Sequence, residues 1–145
     1  MTFYLLDENV LREMRTGGDA RVRAWLATVN DTELRISALT FFEKRRGWSR
    51  MLKDPARAEA ARSGLAKIDA LEEAYEGRIV PIDAGVAAEW AALLGAKDKH
   101  QRDMALAATA RVHGMVVVTR NVKDFVGRQV LVLDPFNNEP KVELV

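Results

Sequence analysis

The segment that most limits the fold is Met115–Thr119, MVVVT. Its valines are β-branched and stiff, which suits a strand, and no polar residue alternates with them. A strand of this kind has no face to offer water, so both faces must be covered. It follows an Ala-rich helical pattern, Met104–His113, across Gly114. A turn that tight sends the chain back on itself, so helix and strand run antiparallel. The N-terminus of that helix, headed by Asp103, then lies at the carboxyl edge of the strand.

The remaining elements agree with a layered α/β arrangement. Phe3–Leu6 is apolar and runs directly into Asp7, as a short buried strand delivering a carboxylate to a sheet edge. A short helix from Asp7 to about Met14 follows, ended by Thr16-Gly17-Gly18, and Asp19 caps a second helix with Val22, Trp25, Leu26 and Val29 on one face. Glu33–Ile36 is expected as a strand, with Ser37 capping the helix that carries Phe41, Phe42 and Glu43 towards Trp48. Asp54-Pro55 reads as the start of a helix lasting to Glu76, with Gly77 past its end. Arg78–Ile82 is a third short strand, and Asp83 caps an Ala-rich helix. After the Lys-rich loop 95–101 come the Asp103 helix, MVVVT, a turn at Asn121–Phe125 and a last strand at Gln129–Leu133. This order implies a single α/β domain over 1–136, a mainly parallel central sheet of four or five strands with helices on both faces, and a polar C-terminal tail over 137–145.

Composition removes several chemistries. With no Cys there are no disulfides, thiolate sites or Cys nucleophiles, and two His residues argue against a His-rich zinc site. A net charge of +1, from 22 basic and 21 acidic residues, neither requires nor excludes a nucleic-acid partner, so local clustering must decide. No apolar run reaches membrane-span length, and no basic region followed by a long apolar stretch opens the chain, so no membrane association and a cytoplasmic location are expected. Neither a P-loop nor a G-x-G-x-x-G pattern supports a nucleotide cofactor.

What remains is a set of oxygen donors on one rim. Open α/β sheets form sites at the carboxyl ends of their strands. Asp7 ends the first strand, Glu43 lies early in the helix after the second, Asp103 heads its helix, and Thr119-Arg120-Asn121 ends MVVVT. Individually each has an ordinary explanation: Asp7 or Asp103 as an N-cap, Thr40 with Glu43 as a capping box, Asn121 with Asp124 as turn formers. Together, carboxylates on one rim repel each other, and a divalent cation removes that penalty. Oxygen donors without Cys or His point to a hard ion, Mg²⁺ or Mn²⁺, and such a site suits phosphodiester chemistry. Glu43 would take a proton from water or hold metal. Basic residues flank the acids: Lys44-Arg45-Arg46 after Glu43, and Lys97, Lys99 and Arg102 before Asp103. Arg45, Arg46 and Arg102 are candidate RNA-phosphate contacts, weighed against plain solvation. Trp25 and Trp90 fall on apolar helical faces and read as core, and Trp48 is a candidate for a partner contact.

The order L-L-D-x-N-V at Leu5–Val10, S-A-L-T-x-x-E at Ser37–Glu43, D-x-x-L-A-A-T-A at Asp103–Ala110 and V-V-T-R-N-x-x-D-F at Val117–Phe125 resembles PIN-domain ribonucleases, and more narrowly the VapC-type toxins of bacterial toxin–antitoxin modules. Asp134-Pro135-Phe136 is similar to the family's usual Asn-Pro-Trp ending. The resemblance implies a Mg²⁺- or Mn²⁺-dependent endoribonuclease, homodimeric, neutralised by a cognate antitoxin in a hetero-oligomer that meets operator DNA only through the antitoxin. It carries the metal-binding acids onto Asp7, Glu43 and Asp103, a supporting role onto Asn9 and Thr119, and the fourth motif position onto Asn121. Two departures stand out. Glu8 occupies a place where the family usually has a small hydroxyl residue, and Asn121 is neutral where an acid is common, so Glu8 or Asp124 is expected to supply some of the missing charge. Two rival readings are a receiver-like phosphorylation domain, for which Arg120-Asn121 fails to supply the needed Lys, and a catalytically impaired binding module on the same fold.

Overall fold

A computed structural model describes residues 1–96 and 99–145. Lys97 and part of the Lys-rich loop lie outside the described residues. The chain forms β1 (Tyr4–Leu6), α1 (Glu8–Leu11), α2 (Ala20–Leu26), β2 (Leu34–Ser37), α3 (Ala38–Met51), α4 (Ala58–Ala74), β3 (Ile79–Val80), α5 (Ala84–Leu93), α6 (Gln101–His113), β4 (Val116–Val118), β5 (Leu131–Leu133) and β6 (Glu143–Leu144). The strands make one sheet of order β3-β2-β1-β4-β5-β6. All pairings are parallel except the last, between β5 and β6.

Strand periodicity divides the core into two layers. Leu6, Val116, Val118, Ile36 and Leu133 face one side, where they meet Val22 and Trp25 of α2, Phe41 of α3 and Ile68 of α4. Leu5, Val117 and Val132 face the other and meet Met104, Leu106, Ala107 and Ala110 of α6. The pleat sends neighbouring side chains to opposite faces, so the all-valine β4 fills both layers at once and is buried along its length. Each fully buried Leu or Val here contributes about 1.5–3 kcal/mol of transfer free energy. Small residues let α6 lie close on the sheet: Met104 to Ala110 are all buried. The helix ends as the sequence predicts, at Gly114 in the left-handed region (φ 66°), a conformation that costs an L side chain energy.

Several boundaries differ from the sequence expectation, each for a local reason. The sheet has six strands rather than four or five, because the C-terminal segment returns to the edge: Glu143–Leu144 pairs with β5, and Val145 and Val130 exchange backbone hydrogen bonds at 3.0 and 3.1 Å. Asp54-Pro55 forms a turn and α4 starts only at Ala58, since the Asp54 carboxylate accepts from the Ala56 N–H and the Arg57 N–H goes to the Asp54 carbonyl. An Asp carboxylate bonding two residues on offers the backbone an alternative to a helical turn. Glu33 belongs to a one-turn helix, Asp31–Glu33, where its carboxylate accepts from the Asn30 N–H at 3.0 Å, so β2 begins at Leu34. β3 stops at Val80 because Pro81 brings no N–H to the ladder. Gln129 takes a positive φ of 53°, which delays β5 to Leu131.

Trp48 belongs to the α3–α4 hairpin. A Cβ placed on the buried Gly64 of α4 would sit 2.2 Å from the Trp48 ring. The glycine is what lets the indole approach. Gly64→Ala gains up to about 1 kcal/mol of helix propensity but overpacks the ring contact by about 1–3 kcal/mol. The expected outcome is a lower thermal midpoint; an unchanged or higher one would show that the ring moves aside freely.

Candidate active site

Parallel pairing of β1 with β4 sets the site. The Asp7 N–H donates to the Val118 carbonyl at 2.9 Å, and the Thr119 N–H donates to the Leu133 carbonyl at 3.0 Å. The ends of β1, β4 and β5 are thereby locked side by side, with Asp7 and Thr119 at one edge. The Thr119 hydroxyl donates to Asp7 Oδ2 at 2.8 Å, and Asn9 Nδ2 lies 3.4 Å from the same oxygen. Asn9 also reaches Thr119 Oγ1 at 3.3 Å, while its own Oδ1 accepts from the Arg120 N–H at 3.1 Å. Asp7 caps α1 as well: Oδ1 accepts from the Glu8 N–H at 2.8 Å. Capping and site-building are thus one arrangement. Only 1% of Asp7 is exposed, so its carboxylate depends on these donors for nearly all its solvation.

Two further acids face it. Glu43, one turn into α3, leaves 40% of its side chain exposed at the mouth of the site. Asp103 lies in the first turn of α6; the residue at the cap position is His100, and the carboxylate is not the cap. Between the three acids sits the guanidinium of Arg102. Nη2 is 2.5 Å from Asp7 Oδ1, Nε is 2.7 Å from Glu43 Oε1 and Nη1 is 3.2 Å from Asp103 Oδ1. Burial works against the charge of Arg102, but Asp7 and then Glu43 outweigh it and the guanidinium is held more firmly protonated than usual. For Asp103, burial first and the charge of Asp7 second push the carboxyl above its ordinary range, against the pull of Arg102.

A cavity of about 380 Å³ opens over this cluster, lined by Asp7, Asn9, Thr40, Glu43, Arg102 and Asn121 among others. Thr40 is 2% exposed and its hydroxyl has no hydrogen-bond partner among the described residues. The expected capping box of Thr40 with Glu43 is absent, because Ser37 caps α3 through the Leu39 N–H at 3.1 Å. A buried orphan hydroxyl beside three convergent carboxylates, already gathered around one cation, fits a hard metal ion and its water ligands. Asp7, Glu43 and Asp103 meet through the Arg102 guanidinium, whereas among the described residues the group whose ligand atoms all lie within 4.8 Å of one another is His100, Asp103 and Asp124. In the sequence, T-x-x-E is also an ordinary helix start, and the spacing of three from Glu43 is the signal that points to Thr40.

The other candidates separate clearly. Asp124 lies beside Asp103 and His100, with ligand atoms of the three within 4.8 Å of one another. Glu8 lines the same cavity, its Oε1 pairing with Lys44 at 3.0 Å while Oε2 is buried without a hydrogen-bond partner among the described residues. Arg45 is drawn to α4 by Asp69 at 2.7 Å and Glu72 at 2.9 Å, and neither it nor the exposed Arg46 lines the cavity. The helical period explains this: Thr40, Glu43 and Lys44 share a face that Arg45 does not. Trp90 donates from its indole to the Gln101 carbonyl at 2.9 Å, which ties α5 to the start of α6.

Thr119→Val keeps the shape of the strand end but leaves Asp7 Oδ2 without its shortest donor. It is expected to cost about 1–3 kcal/mol in urea unfolding. A loss within error would mean that Asn9 alone suffices. Because Asp103 titrates higher folded than unfolded, the folded state holds that proton longer, and stability falls as pH rises through the window between the two values. Asp103→Asn should therefore raise the melting temperature of metal-free protein at neutral pH, with the gain vanishing below the carboxylate range. A gain over wild type no larger at pH 7 than at acid pH would contradict this.

Comparison with known proteins places the chain. The PIN domain family model matches residues 4–126. Toxin FitB of Neisseria gonorrhoeae (strain ATCC 700825 / FA 1090) is 31% identical over 143 residues, covering 92% of this chain and 99% of that protein. The structure of FitAcB from Neisseria gonorrhoeae matches with a TM-score of 0.73 and 30% identity over 93% of this chain and 99% of that one. FitAB bound to an IR36 DNA fragment matches with a TM-score of 0.69 and 32% identity over 94% and 98%. A toxin–antitoxin complex from Klebsiella pneumoniae matches at 0.58 and 25% over 91% and 97%. The receiver-like reading is set aside, and the chain belongs to the PIN-domain family, with the toxin FitB among its relatives.

Proposed function

We propose that this chain is the toxin of a toxin–antitoxin module, a Mg²⁺- or Mn²⁺-dependent endoribonuclease neutralised by a cognate antitoxin. The observation that carries the reading is the convergence of Asp7, Glu43 and Asp103 on a single cationic centre, the Arg102 guanidinium. A divalent cation bound among these oxygens would orient a phosphate, lower the pKa of a bound water and offset charge on the leaving oxygen.

The chain's own residues supply the rest. Thr119 and Asn9 fix the Asp7 carboxylate in one orientation, which removes reorganisation from the reacting state. Glu43, partly open to solvent, accepts the proton of the attacking water or serves as a further oxygen ligand. Asn121 lines the cavity at the motif's fourth position without contributing charge. Asp124, rather than the Lys44-paired Glu8, restores negative charge beside Asp103. Arg12 lines the cavity, which supports a role at RNA phosphates; Arg45 and Arg46 lie outside its lining. An antitoxin partner is supported by a relative solved as a toxin–antitoxin complex, and a DNA contact of the assembly by FitAB solved on a DNA fragment; the homodimer and the route to operator DNA through the antitoxin belong to the same proposal.

Purified antitoxin-free protein is expected to cleave RNA with Mg²⁺ or Mn²⁺ and to stop on chelation with EDTA. Asp7→Asn and Asp103→Asn should each lower the rate at least about a hundredfold, since losing a ligand costs more than the 10–100-fold typical of its outer partners. No metal-dependent cleavage across transfer, ribosomal and messenger RNA would favour the binding-module alternative.

A further inference from the structure

Arg102 sits between the three acids that the proposed function assigns to a metal ion. Each of its three guanidinium nitrogens goes to a different carboxylate, Asp7, Glu43 or Asp103. Asp7 has little left to offer a further cation: Oδ2 is taken by Thr119 and Asn9, and Oδ1 by the Glu8 N–H and Arg102. Arg102 precedes Asp103 in the first turn of α6, so it is tethered beside the acids and cannot diffuse away. Its side chain is nonetheless 32% exposed, and a long stem with an open side towards the cavity has a route out.

We propose that Arg102 is a built-in competitor for the metal: a tethered cation that neutralises the acid cluster in metal-free protein and must swing out before a divalent ion binds. This rests on the metal-site reading above. The guanidinium's fork geometry suits carboxylates well, so the inward position is strongly populated. The apparent affinity for metal is then the intrinsic affinity scaled by the fraction of molecules with Arg102 turned out. Removing the side chain removes that penalty and, at the same time, leaves three acids uncompensated in the metal-free state. Metal affinity and metal-free stability therefore move in opposite directions, which neither a phosphate-binding arginine nor a purely structural one requires.

The test uses the full chain without antitoxin. Binding of Mn²⁺ is read from the electron paramagnetic resonance of the free ion, and thermal melting is followed with and without Mn²⁺. Lys44→Ala is the control, because Lys44 lines the same cavity with the same charge but pairs with Glu8. Arg102→Ala is expected to bind Mn²⁺ about tenfold more tightly or better, the factor for a guanidinium turned out roughly a tenth of the time. Lys44→Ala should change binding by less than about threefold, the effect of a screened cavity charge. Metal-free Arg102→Ala should melt below wild type, and Mn²⁺ should raise its melting temperature by more than it raises that of wild type. Arg102→Gln, which keeps most of the stem, gives the same comparison if the Ala variant does not fold. Equal Mn²⁺ affinity in wild type and both Arg102 variants, or an equal gain in Lys44→Ala, would overturn the competitor role while leaving the metal site standing. Absence of Mn²⁺ binding in every variant would overturn the metal-site reading and this proposal together.

Discussion

A single buried carboxylate organises this protein. Asp7 ends the central strand, and an ionised group taken out of water is tolerated only if hydrogen bonds and opposite charge replace its hydration. The replacements come from three parts of the chain: the Glu8 N–H and the Asn9 amide of α1, the Thr119 hydroxyl at the end of β4, and the Arg102 guanidinium from α6. Satisfying Asp7 therefore ties α1, β1, β4 and α6 together at one edge of the sheet. The valines of β4 pack into both core layers, which leaves the strand ends as the place where polar groups can meet solvent.

The same edge holds a conflict. Asp7, Glu43 and Asp103 repel one another, and Asp103 is pushed above its ordinary range by burial first and the charge of Asp7 second. Arg102 relieves it in cis. The cluster is a local violation of what would stabilise the fold best, and such violations mark functional positions, where stability is given up for chemistry. The orphan hydroxyl of Thr40 is a second violation of the same kind, a buried group without a partner among the described residues in the same cavity as Asp7 and Glu43.

Much of this was legible from residue order alone. MVVVT, the Ala-rich stretch before it and the Gly114 turn specify a strand with a helix laid back along it, and the structure has both. Asp7, Glu43, Asp103, Thr119 and Asn121 stand at one rim because strand ends and helix starts are visible as pattern. Less legible were the places where a polar residue chooses among local partners. Asp54 turns the chain instead of opening α4, Glu33 caps a single turn instead of starting β2, and the terminal residues return as β6. These choices differ by amounts comparable to one hydrogen bond, about 1 kcal/mol, which pattern cannot rank.

By itself, the sequence determined the layered α/β class, the two-faced burial of β4 and the acids that could share an edge, because apolar periodicity and helix punctuation are local properties. Only the tertiary structure decided which charges meet. Arg45 and Arg102 look alike in sequence, each beside an acid of the proposed site. One is drawn off by Asp69 and Glu72 of α4, and the other lies at the centre of the acid cluster. Long flexible side chains settle on whichever carboxylates the packed helices bring within reach, and that depends on how α3, α4 and α6 sit around the sheet rather than on any neighbour in the chain.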